Sequence, residues 1–344
     1  MNFISKANHN FKIIEDTDKN KTAILSSIFA LVSVEKKFLC EWSLKIIDFE
    51  KKFKNDRFYW VLEYSAENLI SVVPIRVEKY FIFFQKISIA TNYYGFFIEH
   101  VLPVDIEGFL KFIDKIFVLN LIKSFHPIIS AQTNNFKNLS DYKKSQVTAI
   151  DKNHYSNLDD FGCYWQSRPS KLRQTACRKL KKIQCENASF ILTSKPTAIE
   201  IDHYWQIYEN SWKQQEPCKD FVNWVLSGES NCFTPHLGIL YVDNTPIASQ
   251  IWFLREQVLY IFKLAQDKNF DKLSPGTLLT KYMAEQLTTQ DVKQINFMFG
   301  DDEYKKLWMD SVQDIFDVTI YRFSTLRSLA NFKQRIRHLI KPTA

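Results

Sequence analysis

The stretch VLYIFKLAQDKNFDKLSPGTLLTKYMAEQL (258–287), followed by QINFMF (294–299) and GDDEYKKLW (300–308), holds most of the structural information in this chain. An aromatic and aliphatic strand pattern runs into a polar loop that closes on Ser274, Pro275, Gly276 and Thr277, and an amphipathic helix pattern follows. A second short strand ends in a turn dense in titratable groups. Where a strand feeds a helix start, the first helical N–H groups and the positive dipole end face outward, which suits a phosphate or pyrophosphate. Pro275 fits a first helical turn and Gly276 lets a ligand approach the backbone closely. The sequence therefore points first to a phosphate-bearing cofactor, although a plain helix cap would read the same way. The titratable turn offers Asp301, Asp302, Glu303 and Tyr304 as a general base and general acid for acyl transfer to an amine. Asp302 is equally suited to cap the helix that continues into Lys305 and Trp308.

The remainder of the chain sets the frame. With 344 residues, 46% apolar and 15% aromatic, it accommodates two domains with substantial cores and is not disordered. Only 7 Gly are present, so Gly276 and Gly300 in the same stretch are informative. The apolar run from Ala23 to Val34 is broken by serines and is too short to span a bilayer, and the first residues do not read as a signal peptide; a cytoplasmic protein is expected. Six scattered cysteines without a C-x-x-C pair read as free thiols, and seven dispersed histidines without H-E-x-x-H predict no metal site. A net charge of +7 is compatible with an anionic ligand and implies no DNA.

Two halves share one order of elements at an offset of about 170 to 180 residues, a repeat that points to duplication. In the first, a hairpin (58–64 and 69–77) leads to a strand (81–90), a helix (105–119) and a strand (128–132). In the second, a hairpin (237–242 and 246–254) leads to a strand (258–265), a helix (275–287) and a strand (294–299). The Ser-Pro-Gly helix start occurs in the second half alone. Between the halves, Leu172, Ala176, Leu180 and Ile183 share a helix face, while Lys171, Arg173, Arg178, Lys179, Lys181 and Lys182 make the rest basic. Those cations form either a solvated face or a surface for an acidic substrate, phosphates or tRNA. A helix over 201–214 places Tyr204, Trp205, Tyr208 and Trp212 in the core. The end of the chain, 325–341, reads as a basic amphipathic helix that packs on the protein or lies on a membrane surface.

The hairpin, YIFKLAQD, SPGTLL and INFMFGDDEYKKLW together resemble the Gcn5-related N-acetyltransferase (GNAT) superfamily. They are closest to its FemAB-related, CelD-type branch, found with cellulose and exopolysaccharide synthesis. Asp267, Pro275, Gly276, Phe297, Gly300, Asp301, Tyr304, Lys305 and Trp308 fall in step with that branch, and VVPIRV, NYYG and RPSKLRQTACRKLKK resemble it too. The chain departs from the branch at Gln266, Asn296 and Phe299, where Tyr, Asp and Arg are usual, and SPGT replaces the superfamily's Gln/Arg-x-x-Gly-x-Gly/Ala loop. The resemblance implies an α/β fold of two tandem GNAT-like domains, each a mixed, mostly antiparallel sheet flanked by helices. Residues 1–150 would be a degenerate domain, 151–324 the cofactor-binding domain and 325–344 the terminal helix.

By the same resemblance, acetyl-CoA or another acyl-CoA lies along Leu264, Ala265 and Gln266, with its pyrophosphate on Ser274, Pro275, Gly276, Thr277 and Leu278. Tyr304 would protonate the leaving thiolate, and Asp301 or Asp302 would take the proton of the attacking amine. Asn92, Tyr93, Tyr94 and Lys305 are the candidate acceptor contacts, with His100 nearby. The implied activity is N-acyl transfer to an amino sugar or another small-molecule, envelope or polysaccharide precursor. One alternative is aminoacyl-tRNA-dependent transfer of the FemAB kind, and another is a non-catalytic subunit of a synthesis complex. Homo-oligomerisation stays open.

Overall fold

The computed structural model describes residues 9–31, 33–50, 56–81, 83–90, 102–128, 134–142, 144–158, 160–289, 291–323, 325, 326 and 328. Asn92, Tyr93, Tyr94 and His100, and nearly all of the expected C-terminal helix, lie outside the described residues. The chain divides into two compact units, Met1–Ile150 with Asp314–Ala344, and Asp151–Gln313. Each is a mixed, mostly antiparallel sheet flanked by helices.

The first unit begins with β1 (His9–Glu15), α1 (Lys21–Ala30) and α2 (Val34–Glu50). The expected hairpin forms as β2 (Arg57–Ser65) and β3 (Asn68–Phe81), then β4 (Phe84–Ile89) and α3 (Ile106–Ile116). The next described strand is β5 (Asn120–Ile128), which begins soon after the helix; of the strand expected at 128–132, residues 129–132 lie outside the described residues. Asn120 explains that start: wholly buried, it closes the helix end by donating from Nδ2 to Asp114 and to the Phe117 carbonyl. After α4 (Asn134–Ser140) and β6 (Ser145–Asn157), the chain enters the second unit and returns through β12. The strand order here is β1-β2-β3-β4-β5-β12, with β4 and β5 the parallel pair.

The second unit contains α5 (Phe161–Ser167), α6 (Ser170–Gln184), β7 (Ala188–Thr193), α7 (Ala198–Glu209), α8 (Lys219–Ser227), β8 (Thr234–Val242) and β9 (Thr245–Arg255). It continues through β10 (Val258–Gln266), α9 (Pro275–Leu287), β11 (Gln294–Phe299), α10 (Glu303–Trp308) and the start of β12 (Ser311–Tyr321). The sheet order is β6-β11-β10-β9-β8-β7. Its core gathers Trp252, Leu259, Leu279, Met283, Ile295 and Trp308, all essentially inaccessible, under α6 and α9. In α6, Leu172, Ala176 and Ile183 are buried as their spacing predicts, and Lys171, Arg178, Lys181 and Lys182 are exposed. Helix α7 stops at Glu209, well before 214. Tyr204, Trp205 and Tyr208 are buried as expected, but Trp212 falls in the following loop and is 59% exposed. Thr197 and Glu200 start α7 with a capping box, so its register is set from the N-terminal side.

Candidate active site

The site grows from one parallel strand pair that does not stay parallel. Strand β10 pairs with β11 only through Val258, Leu259 and Tyr260, opposite Gln294, Ile295 and Asn296. Its other edge stays on β9 as far as Gln266, with a bulge between Ile261 and Lys263. On its own side β11 carries an irregularity against β6 after Asn296, with Met298 in the left-handed region at φ 54°. A bulge bends a strand and re-aims its side chains. The two strands therefore part beyond residue 260, and Leu264, Ala265 and Gln266 have ladder partners only on β9. An edge of this kind presents unpaired N–H and C=O groups to an extended amide-bearing ligand.

Helix α9 starts beside that opening. Ser274 adopts a left-handed conformation at φ 52° and gives no side-chain cap. The amides expected to be open for a phosphate are largely engaged: the Gly276 N–H donates to Gln266 Oε1 at 3.0 Å, and the Leu278 N–H donates to the Ser274 carbonyl. Among the described residues the Thr277 amide has no partner. Gln266 is itself held by donation from Nε2 to Asp271 Oδ1 at 2.7 Å. Proline at the first position and the lack of a hydroxyl cap leave the helix short of acceptors, and this side chain supplies one. A Cβ on Gly276 would stand 2.6 Å from Gln266 Oε1, so the glycine is what lets the amide reach the helix.

Tyr304, on α10, packs against Phe297 and Trp308, and its hydroxyl lies 2.9 Å from Thr280 Oγ1. Thr280 is part of a network linking the strands to α9. Gln250 Nε2 donates to Thr280 Oγ1 and to the Gly276 carbonyl, and Trp252 Nε1 donates to Gln250 Oε1. Burial pushes the Tyr304 phenol up to about 12, against the pull of Thr280, Trp308 and Thr277. The group thus remains a proton donor, in place at the start of α9.

The neighbouring carboxylates are both engaged, Asp302 as the helix cap that was one of its two expected roles. Asp302 Oδ1 accepts the Lys305 N–H at 3.0 Å and is the N-cap of α10. Asp301 meets His154 Nε2 at 3.0 Å, Lys306 at 3.4 Å and Lys152 at 3.5 Å. The hydrogen bond from His154, with Lys306 and Lys152 beyond it, holds its carboxyl below the usual range. A carboxylate so stabilised is a weak base, which argues against the expected proton abstraction by Asp301. Lys305 is buried rather than open to an acceptor. Its Nζ donates to the Phe299 carbonyl inside the turn at Gly300, whose φ of 119° and closeness to that ammonium exclude other side chains.

Arg168 locks the far end of α10, donating to the Trp308 carbonyl and pairing with Asp310. Sequence reasoning missed Gln250, Thr280 and His154, because nothing local distinguishes them. Their partners are brought together only by the strand pairing. Among the described residues no group of three or more His, Cys, Asp or Glu could hold a metal, and no helix is long and apolar enough to cross a membrane. None of the six cysteines is in a disulfide among the described residues.

Comparison with known proteins bears on the fold. No curated protein matches the chain by sequence. FemX has the same fold, with a TM-score of 0.60 at 7% identity over 92% of this chain and 99% of that one. So does the C-terminal domain of a putative lysylphosphatidylglycerol synthetase from Agrobacterium fabrum, at 0.55 and 10% identity over 92% and 96%. L-PGS from Bacillus licheniformis follows at 0.53 and 12% identity over 85% and 95%. Residues 170–306, a stretch within the second unit, match the family described as "Acetyltransferase (GNAT) domain", which supports a transferase.

Proposed function

We propose that this protein is an acyl-CoA-dependent N-acyltransferase acting on an amino sugar or another envelope or polysaccharide precursor, as the CelD-type resemblance implies. The observation that carries the reading is the parting of β10 and β11 beyond Tyr260 and Asn296, with the Tyr304 hydroxyl held against Thr280 in the second turn of α9. Acyl-CoA would supply the thioester. The backbone of Leu264, Ala265 and Gln266 would pair with the pantetheine amides. The turn from Ser274 to Leu278 would receive the pyrophosphate, with Gln266 Oε1 giving up the Gly276 N–H.

The acceptor nitrogen attacks the thioester carbon directly; a C–N bond forms and the C–S bond breaks. Tyr304 donates its proton to the departing sulfur, and the proton released by the amine restores the phenol through water. No covalent enzyme intermediate is required, so no Ser-His or Cys-His pair is needed. The first domain (residues 1–150) is read as degenerate, and Asn92, Tyr93 and Tyr94 remain candidate acceptor contacts.

The exposed cations of α6 favour a second reading, an aminoacyl-tRNA-dependent transferase. Calorimetric titration with acetyl-CoA, free CoA and bulk aminoacyl-tRNA separates the two. Micromolar CoA binding that Gly276→Glu abolishes supports the first reading. Salt-sensitive tRNA binding without CoA binding supports the second, and neither points to a non-catalytic subunit.

A further inference from the structure

The loop between α7 and α8 carries chemistry that the transfer step does not use. It borders an open pocket of about 360 Å³ lined in part by Trp205, Tyr208, Glu209, Lys213, Glu216 and Lys219. Two of the cations around it are matched. Lys219 faces Glu209 at 3.6 Å, and Lys263, from the bulge of β10, meets the buried Glu216 at 2.6 Å. Lys213 is not matched: its ammonium stands 5.7 Å from the centre of the Tyr208 ring and 5.9 Å from that of Trp212, with no carboxylate at ion-pair distance among the described residues. Burial, then the nearby Lys263 and Lys305, push its pKa down to about 8, with Asp302 opposing. A half-buried ammonium facing two other cations lacks an anion.

The position of the loop is fixed. The Asn210 carbonyl accepts the Lys268 N–H, and Asn210 Nδ2 donates to Asp267 Oδ2 at 3.3 Å, which ties the end of α7 to the open end of β10. Lys213 is close enough to Lys263 of β10 and to Asp302 and Lys305 at the start of α10 for their charges to act on it.

We infer that this cavity is the acceptor pocket and that Lys213 is the counter-ion for a carboxylate or phosphate carried by the acceptor amine. The word acceptor rests on the acyltransferase reading; the anion site does not. The pocket's aromatic walls would cover the body of the acceptor while its anionic group meets Lys213.

Trp205 and Trp212 make binding visible as a change in tryptophan fluorescence. The probes are O-phosphoethanolamine, β-alanine and ethanolamine, which share a primary amine and differ in the anion. Saturable binding of the phosphate or the carboxylate probe, with ethanolamine weaker by about 10- to 100-fold, is expected, the range for one charge-assisted hydrogen bond. Whichever anionic probe binds more tightly names the group. Lys213→Gln should lose that margin and Lys213→Arg should keep it, while both bind CoA as the wild type does. Equal binding of all three probes, or an unchanged margin in Lys213→Gln, overturns the site. A margin lost equally in Lys213→Arg overturns the counter-ion role. If the wild type binds the anionic probe but not CoA, the acyltransferase reading fails and the anion site stands.

Discussion

The two units each contain one parallel strand pair followed or preceded by a helix start, and they treat it in opposite ways. In the first, β4 and β5 stay paired, past one register shift after Gln85, as far as Ser88 opposite Ser124, one residue short of the end of β4. In the second, β10 leaves β11 after three residues. The helix starts differ as well. Asp105 caps α3 by accepting the Gly108 N–H, and the fully buried Glu63 accepts the N–H groups of Val104 and Asp105 and contacts His9. Two carboxylates therefore occupy the positive end of α3, whereas α9 has only the neutral Gln266. One lysine in each unit differs in the same sense. Lys123 in the first unit lies 2.7 Å from Asp114, and Lys213 in the second has no such partner among the described residues. The difference is one of charge: the start of α3 is already neutralised by two carboxylates, whereas the start of α9 is held by a neutral side chain that an anion could displace.

The sharpest way to break this comparison is at Tyr304. Tyr304→Phe should lower kcat by about 10²- to 10⁴-fold, the usual contribution of a general acid, with little change in acyl-CoA affinity. Turnover measured as release of CoA thiol, alongside calorimetry, checks both parts; an unchanged kcat would remove the phenol from the chemistry. In the first unit, Glu63→Ala should cost about 1–3 kcal/mol in urea unfolding, because buried amides lose their acceptor, and should create no CoA site while β4 and β5 remain paired.

Gln266→Glu makes α9 resemble α3. A carboxylate at the helix start should weaken CoA binding about tenfold, without a gain in stability, because the favourable helix-dipole contact is offset by loss of the Nε2 bond to Asp271 and by two facing carboxylates. Affinity equal to wild type would show that Gln266 is not in the phosphate path. Asp302→Ala should cost about 1 kcal/mol through loss of the α10 cap, without the pH-profile change expected of a lost base.

Lys213 gives a pH test with a defined sign. Its pKa is lowered from 10.5 to about 8 in the folded protein, so between those values the unfolded chain binds more protons and stability rises with pH. Lys213→Met should therefore be more stable than wild type near pH 7, with the gap closing as pH rises from about 8 towards 10.5. Lys263, Lys305, Asp302, Glu209, Glu216 and Lys219 surround the same space, and each variant's melting curve is compared across that range. A gap that is constant with pH would remove the buried charge from the account.

Much of this was legible in the chain. The hairpins, the strand at 258, the helix at Pro275 and the strand at 294 all follow from local pattern, because alternation, proline at a first turn and a 3.6-residue apolar repeat act over a few residues. The cap made by Asp302 was legible for the same reason. Trp212 shows the limit: its spacing continues the stripe of Tyr204 and Tyr208, yet the helix stops at Glu209. Asn210 ties that end to the loop after β10, a contact 57 residues away in sequence.

The sequence by itself determined which segments become strands and helices, and which turn carries the phenol and carboxylates, since these depend on neighbours along the chain. The tertiary structure alone decided that Gln266 caps α9, that His154 and two lysines hold Asp301 charged, that Tyr304 meets Thr280, and that Lys213 faces a cavity without an anion. Each depends on distance between residues remote in sequence, and on the burial that turns a weak charge preference into a strong one.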